Sequence, residues 1–300
     1  SYEIAGAENT TAFKNGDWNG RSSFFNYGKC TFPAGFSYLV QSHLKRRGCA
    51  IRVTKKPLPE PLGPENFWDC DGMGREDRYD FQPNTVTQLL RHGQIIAQCA
   101  TGSGKSRIAR LAFARIQRPT LFLTTRGILM YQMKEAIEKD LKVPVSVLGD
   151  GQWGHVDEDG KRTFKMFNVG MVQTLVSRLS IKTVPGEVAA IVKAQVESES
   201  KAVEKYKAIL IDGYARENKM KPEGPALTKI LAACSKYAKQ LKVRRATDKA
   251  IVGRAEAIVR EHEFYRQQTI KLLETVEFVI GEEAHEVSGD SYTTIMNHCK

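Results

Sequence analysis

No two of the six cysteines form a C-x-x-C pair. Cys30, Cys49, Cys70, Cys99, Cys234 and Cys299 are scattered, which indicates neither a zinc site nor a disulfide framework and fits reduced, cytosolic-type thiols. No apolar run reaches the roughly 18 residues a bilayer-spanning helix needs, so no membrane span is expected. Ser1-Tyr2-Glu3 opens no charged-then-apolar leader, and no internal repeat is present. Together these absences point to a cytoplasmic location. Acidic residues are in deficit: 34 Asp and Glu face 45 Lys and Arg, for a formal net charge of +11. That sign suits a polyanionic partner, because side chains that neutralise phosphates release condensed counterions. A merely soluble basic protein has the same balance. The 300 residues, 41% of them hydrophobic, suffice for a sizeable core and one to three domains.

Residues 1–60 read as a small α+β domain. Aromatics and turn formers over 13–27 predict strands joined by tight turns. Phe36, Leu39, Val40 and Leu44 lie at helical spacing, Gly48 can end that helix, and Ile51-Arg52-Val53 reads as a strand. Pro57, Pro59, Pro61 and Pro64 make a stiff linker. Over 65–300 the pattern alternates. Helices are expected at 85–91, 106–117, 129–141 and from Val172, with strands at 94–98, 120–123, 145–148, 167–171 and 277–280. Such alternation implies a parallel α/β sheet with helices on both faces. The strand at 94–98 should be buried and run into a Gly-rich turn. Residues 185–273 break the rhythm as two or three long helices, interrupted near Lys221-Pro222-Glu223-Gly224-Pro225. This helical insertion holds about seven of the net positive charges.

Between the strand at 94–98 and the next helix stands Cys99-Ala100-Thr101-Gly102-Ser103-Gly104-Lys105-Ser106. This is the strand–loop–helix setting of a phosphate-binding P-loop. Gly102 and Gly104 allow a tight turn whose N–H groups point at phosphate oxygens, and the following helix adds its positive end. Lys105 would reach the β- and γ-phosphates, and the Ser106 hydroxyl would ligate Mg²⁺. Far downstream, Phe278-Val279-Ile280 runs into Gly281-Glu282-Glu283-Ala284-His285. Glu282 is assigned to the metal and Glu283 to catalytic base or water positioning; a charged strand exit is the plainer reading.

These two segments resemble motifs I and II of superfamily 2 helicases, with Glu282 standing where that family's motif II has Asp. The resemblance implies a RecA-like domain, ATP and Mg²⁺ as cofactors, and His285 as a coupling residue. Tyr79-Asp80-Phe81-Gln82 resembles the family's aromatic-Gln element, in which the Gln82 amide would read adenine. Thr124-Thr125-Arg126 resembles motif Ia, and Val169-Gly170-Met171-Val172-Gln173-Thr174 resembles motif Ib. These imply nucleic-acid backbone contacts from Thr125, Arg126, Gln173 and Thr174. Gly16-Asp17-Trp18-Asn19-Gly20-Arg21 and Phe32-Pro33-Ala34-Gly35 are similar to the N-terminal domain of UvsW-like phage helicases. This resemblance implies DNA contacts by Trp18 and Arg21, branched DNA or R-loops as substrate, and the host cytoplasm as location; Trp18 can equally fill a small core.

Motif III, the later motifs and a second RecA-like domain do not follow in this sequence, which implies weak ATP binding and very slow hydrolysis by this chain alone. Two other classes fit the same motifs: a duplex-DNA translocase without strand separation, such as a restriction-subunit motor, and a catalytically impaired DNA-binding module. The insertion is expected to grip nucleic acid through Lys236, Lys239, Lys242, Arg244, Arg245, Arg254 and Arg260, or else to be a solvated or protein-docking arm.

Overall fold

The computed structural model describes residues 2–54, 57–243, 248–283 and 289–299. The chain divides into two compact units, Ser1–Pro59 and Glu60–Lys300.

The first unit contains β1 (Tyr2–Glu3), α1 (Thr11–Lys14), β2 (Arg21–Ser22) and α2 (Ser37–Arg46). β1 and β2 pair antiparallel, Tyr2 opposite Ser22. The Thr10 hydroxyl caps α1 by accepting from the Phe13 amide. α2 stops where Gly48 adopts a φ of 74° and the Gly48 and Cys49 amides turn back to Lys45 and Leu44. The expected strands over 13–27 shrink to β2. Residues 51–53 form no strand; Val53 is exposed, and nothing among the described residues pairs with them. β-propensity needs a partner to become structure.

The second unit has α3 (Phe81–His92), α4 (Lys105–Ile116), β3 (Thr120–Thr124), α5 (Gly127–Leu141), β4 (Val145–Gly149), β5 (Gln152–Val156), β6 (Arg162–Thr163) and β7 (Phe167–Met171). There follow α6 (Val172–Leu179), α7 (Val184–Asn218), α8 (Gly224–Val243), α9 (Asp248–Thr275), β8 (Phe278–Gly281) and α10 (Asp290–Met296). The sheet order is β6-β5-β4-β7-β3-β8. β4, β7, β3 and β8 run parallel, whereas β5 is antiparallel to both β4 and β6. The sheet is therefore mixed and not all-parallel. Asp150 and Gly151 both have positive φ, 50° and 74°, which closes a two-residue hairpin between β4 and β5.

Both faces of the sheet are covered, consistent with a RecA-like α/β architecture. Leu121, Leu123 and Leu148 pack with Leu175 and Leu179 of α6, Leu272 and Leu273 of α9, and Ile295 of α10. On the other face Phe122, Val147, Phe167 and Val169 meet Ala109 and Phe113 of α4 and Met130, Met133 and Ile137 of α5. This is the period-2 alternation of a sheet buried on both sides. The long insertion is α7, α8 and α9; α9 returns to the sheet through α6.

One expected strand is absent. Residues 94–98 form no ladder, and Ile96 is 82% exposed. β8 ends the sheet among the described residues, so this apolar run has no strand beside it. α10, which the sequence pattern does not predict, buries Tyr292 and Ile295.

Candidate functional site

α4 fixes the phosphate loop. Gly102 and Gly104 have φ of 81° and 84°, the left-handed turn only glycine adopts cheaply. Gly104 caps α4, so the first-turn amides of Lys105 and Ser106 have no intrahelical acceptor. Thr101, Gly102, Lys105 and Ser106 are exposed. The Ser103 hydroxyl is buried without a hydrogen-bond partner. The C-terminal end of the same helix is clamped. Leu62 and Gly63 donate to the Ile116 and Arg115 carbonyls at 3.1 and 2.9 Å, and the Arg115 guanidinium returns to the Gly63 carbonyl.

A cavity of about 440 Å³ joins this loop to β8. Lys105, Ser106, Cys99, Glu282 and Glu283 all line it, with Ile95 and Ile280 among its apolar walls. The strand register explains how two segments so far apart in sequence meet. β3 and β8 are parallel with Leu123 level with Gly281, so β8 delivers its carboxylates at the same sheet end as Thr124. The Thr124 hydroxyl donates to the Glu282 carboxylate at 2.7 Å. The Glu282 amide donates to the Leu123 carbonyl, and the Tyr292 hydroxyl donates to the Glu282 carbonyl at 3.2 Å. Glu283 leaves the strand at φ 55°, a left-handed conformation uncommon outside glycine. His285 lies outside the described residues.

The same sheet end carries the other motif segments. Thr125 is half-buried and Arg126 exposed just after β3, where the Arg126 amide donates to the Thr124 hydroxyl. Gln173, exposed, and Thr174, half-buried, occupy the first turn of α6 after β7. Carboxyl ends of parallel strands are where α/β sheets present ligand-binding loops. In the first unit, Trp18 is half-buried and its indole N–H donates to the Arg21 carbonyl at 2.7 Å, so that group serves the turn. Arg21 is exposed and pairs with Glu3 at 3.4 Å.

Gln82 is 3% exposed and grips the loop itself. Its Nε2 donates to the Ser103 carbonyl at 2.8 Å, while its Oε1 accepts from Arg107 Nη1 at 2.8 Å. Arg107 is the hub that sequence reasoning missed. It is 5% exposed, binds both Asp71 carboxylate oxygens at 2.6 and 3.0 Å, and donates to the Gly74 and Trp68 carbonyls. Burial alone would raise the Asp71 carboxyl. The Arg107 and Met73 hydrogen bonds and the Arg107 and Arg110 charges outweigh it and hold Asp71 below the usual carboxylate range. Beside it, burial first and then the Asp71 charge push the Cys70 thiol up to about 11. The only sequence hint of Arg107 is its place directly after the loop; nothing marks Asp71, 36 residues earlier.

Whether ATP and Mg²⁺ suit the site is decided by its donor set. An exposed ammonium, a hydroxyl, free helix-end amides and two carboxylates share one cavity. Among the described residues no group of three or more His, Cys, Asp or Glu could hold a metal unaided. A Mg²⁺ arriving with phosphates needs only one or two protein ligands, so these residues fit it.

The family model described as "Type III restriction enzyme, res subunit" matches residues 77–241. No curated protein matches the chain. Among solved structures, that of T4 UvsW matches at 19% identity and a TM-score of 0.44. The match covers 58% of this chain and 38% of that one, so this chain spans well under half the length of that protein.

Proposed function

Since the chain belongs to the type III restriction enzyme res-subunit family, a superfamily 2 helicase-like domain, we propose that it is the nucleotide-binding domain of an ATP-driven motor acting on DNA. The observation that carries this reading is the single cavity shared by Lys105, Ser106, Glu282 and Glu283. The family assignment supports ATP and Mg²⁺ use in general. The site roles are proposals from this chain's own geometry.

Mg·ATP, when bound, supplies the transferable phosphoryl group and the cation that neutralises it. Gly102 and Gly104 aim backbone amides at the phosphates, and the start of α4 favours their negative charge. Lys105 adds a mobile cation, and the Ser106 hydroxyl a metal ligand. Thr124 steadies the Glu282 carboxylate toward the metal, while Glu283 takes a proton from, or orients, the attacking water. Gln82 is buried, is engaged by the Ser103 carbonyl and Arg107 and does not line the cavity, so its role here is to position the phosphate loop and not to read adenine. Thr125, Arg126, Gln173 and Thr174 contact the nucleic-acid backbone without reading sequence.

Two finer readings stand under this one. Branched DNA or R-loops as substrate rest on the 16–21 and 32–35 sequence elements, including Trp18 and Arg21. A duplex translocase that does not separate strands is favoured by the family's description as a restriction-enzyme subunit. Titration of fluorescent ATP with Mg²⁺ tests the common core. Lys105→Ala should weaken binding at least about tenfold, equivalent to about 1.4 kcal/mol, as expected when one charge-assisted hydrogen bond goes. Glu282→Gln should weaken the Mg²⁺ dependence of binding, with Ser106 and the phosphates still holding the ion. Unchanged ATP affinity in both variants, with circular dichroism intact, would overturn the assignment. Strand separation on forked substrates decides between helicase and translocase.

A further inference from the structure

The basic charge of the insertion is not spread over its three helices. α7 carries five basic and six acidic residues, and α9 five of each. α8 carries four lysines and no acid. The turn before it adds Lys219 and Lys221, with Glu223 the one acid. Of the residues expected at sequence level to grip nucleic acid, Arg254 and Arg260 sit on α9 among acids, and Arg244 and Arg245 lie outside the described residues.

Packing then sorts α8 into two faces. Ile230 and Cys234 are buried, and Tyr237 stacks on Tyr206 of α7 with ring centroids 4.7 Å apart. Lys229, Lys236, Lys239 and Lys242 are all exposed. At 3.6 residues per turn they fall within about 140° of the helix circumference, opposite the buried side, and span about 20 Å along the axis. None of the four forms an ion pair among the described residues, and α8 has no acid of its own to supply one, whereas the lysines of α7 stand among six acids and Lys193 lies 4.0 Å from Glu197. A solvated helix face normally mixes both signs. A single-sign row has self-repulsion that a polyanion relieves.

We infer that the outward lysine face of α8 is a second nucleic-acid binding surface, which lies along the phosphodiester backbone of a duplex. This rests on the reading of the chain as a DNA-acting motor, and adds a surface separate from the loops after β3 and β7. About 20 Å matches roughly six phosphates along one strand at 3.4 Å per step. Lysine suits the task, since a point charge on a flexible stem follows a backbone without demanding a register.

The test is binding of the whole chain to a labelled 30-base-pair duplex of mixed sequence, as DNA and as RNA, across a potassium chloride series. Lys229→Gln, Lys236→Gln, Lys239→Gln and Lys242→Gln are made together; Gln has similar helix propensity, so α8 is preserved. A control of equal charge change replaces Lys193, Lys201, Lys205 and Lys207 on α7 by Gln. The α8 variant should bind at least about tenfold more weakly near 0.1 M salt. Its slope of log affinity against log salt should be shallower by about 3 to 4, near 0.9 for each phosphate that a removed lysine had neutralised. The α7 control should leave both within about twofold. Equal losses in the two variants, or an α8 variant indistinguishable from the parent, would overturn the inference while leaving the motor reading intact. If the unsubstituted chain binds neither duplex, both readings fall. The stronger of the DNA and RNA responses identifies the backbone that α8 serves.

Discussion

Arg107 and Asp71 show how much a single pair can organise. Their side chains are 6% and 2% exposed, and together they tie residues 68–74 to the first turn of α4 and, through Gln82, to the Ser103 carbonyl. Removing one partner of a buried pair leaves the other charge uncompensated, which typically costs about 3–5 kcal/mol. Arg107 retains three other acceptors, so Asp71→Asn should cost about 3 kcal/mol at pH 7, measured by chemical denaturation. The pH dependence has a definite sign. Asp71 is lowered in the folded state, so its contribution is full above the unfolded carboxylate value of about 3.9 and is lost as pH falls through the folded value. The gap between the parent and Asp71→Asn should therefore close as pH drops from about 4 downwards. A gap that stays the same at pH 3 and pH 7 would show that the ion pair is not its source.

At the scale of elements, the runs that can be read from sequence are those whose side-chain pattern is dictated by burial. Thr120–Thr124, Val145–Gly149 and Phe167–Met171 are rich in apolar residues and buried along almost their whole length because they are covered on both faces. The helices of the insertion are legible from composition and from the break at Pro222. The β5–β6 hairpin is not, because Gln152-Trp153-Gly154-His155-Val156 alternates weakly and the one decisive signal, Asp150-Gly151, is only two residues long. Residues 94–98 fail for the opposite reason: their apolar character is real, but ladder formation belongs to the neighbour as much as to the strand. The glycine with most at stake is Gly63, and nothing in its own sequence reveals this. A Cβ there would overlap the Ala114 backbone carbonyl, which belongs to a helix and cannot move aside. Gly63→Ala should therefore detach the 62–63 clamp from α4, at a cost of about 2–3 kcal/mol and a clear fall in Tm. An unaltered Tm would mean that the clamp does not hold α4.

Across the whole molecule, burial is uneven. Among the described residues of Ser1–Pro59 only Ala7 and Gly20 are buried, whereas β3, β4 and most of β7 are buried along their length. A small unit that buries so little has little stability of its own. Hydrogen exchange should report this as amides in 2–54 exchanging about a thousandfold or more faster than those of Leu121, Leu123 and Val169, a difference of about 4 kcal/mol in opening free energy. Uniform protection across both would contradict it. Charge is as uneven as burial: a net +11 for the chain, yet near-neutral α7 and α9 flanking a purely cationic α8. Composition reveals the sign of the charge, and only the packing of α8 on α7 reveals its direction.

The links from the phosphate loop to its supports span 21 residues from Gln82 to Ser103, 25 from Gln82 to Arg107, and 36 from Asp71 to Arg107. The short loop thus borrows its geometry from distant chain, and closing those spans has an entropic cost the loop cannot meet by itself. A synthetic peptide of residues 99–117 would contain every letter of the motif and still lack the cradle. During folding, the loop takes its final form only once the upstream segment has come home.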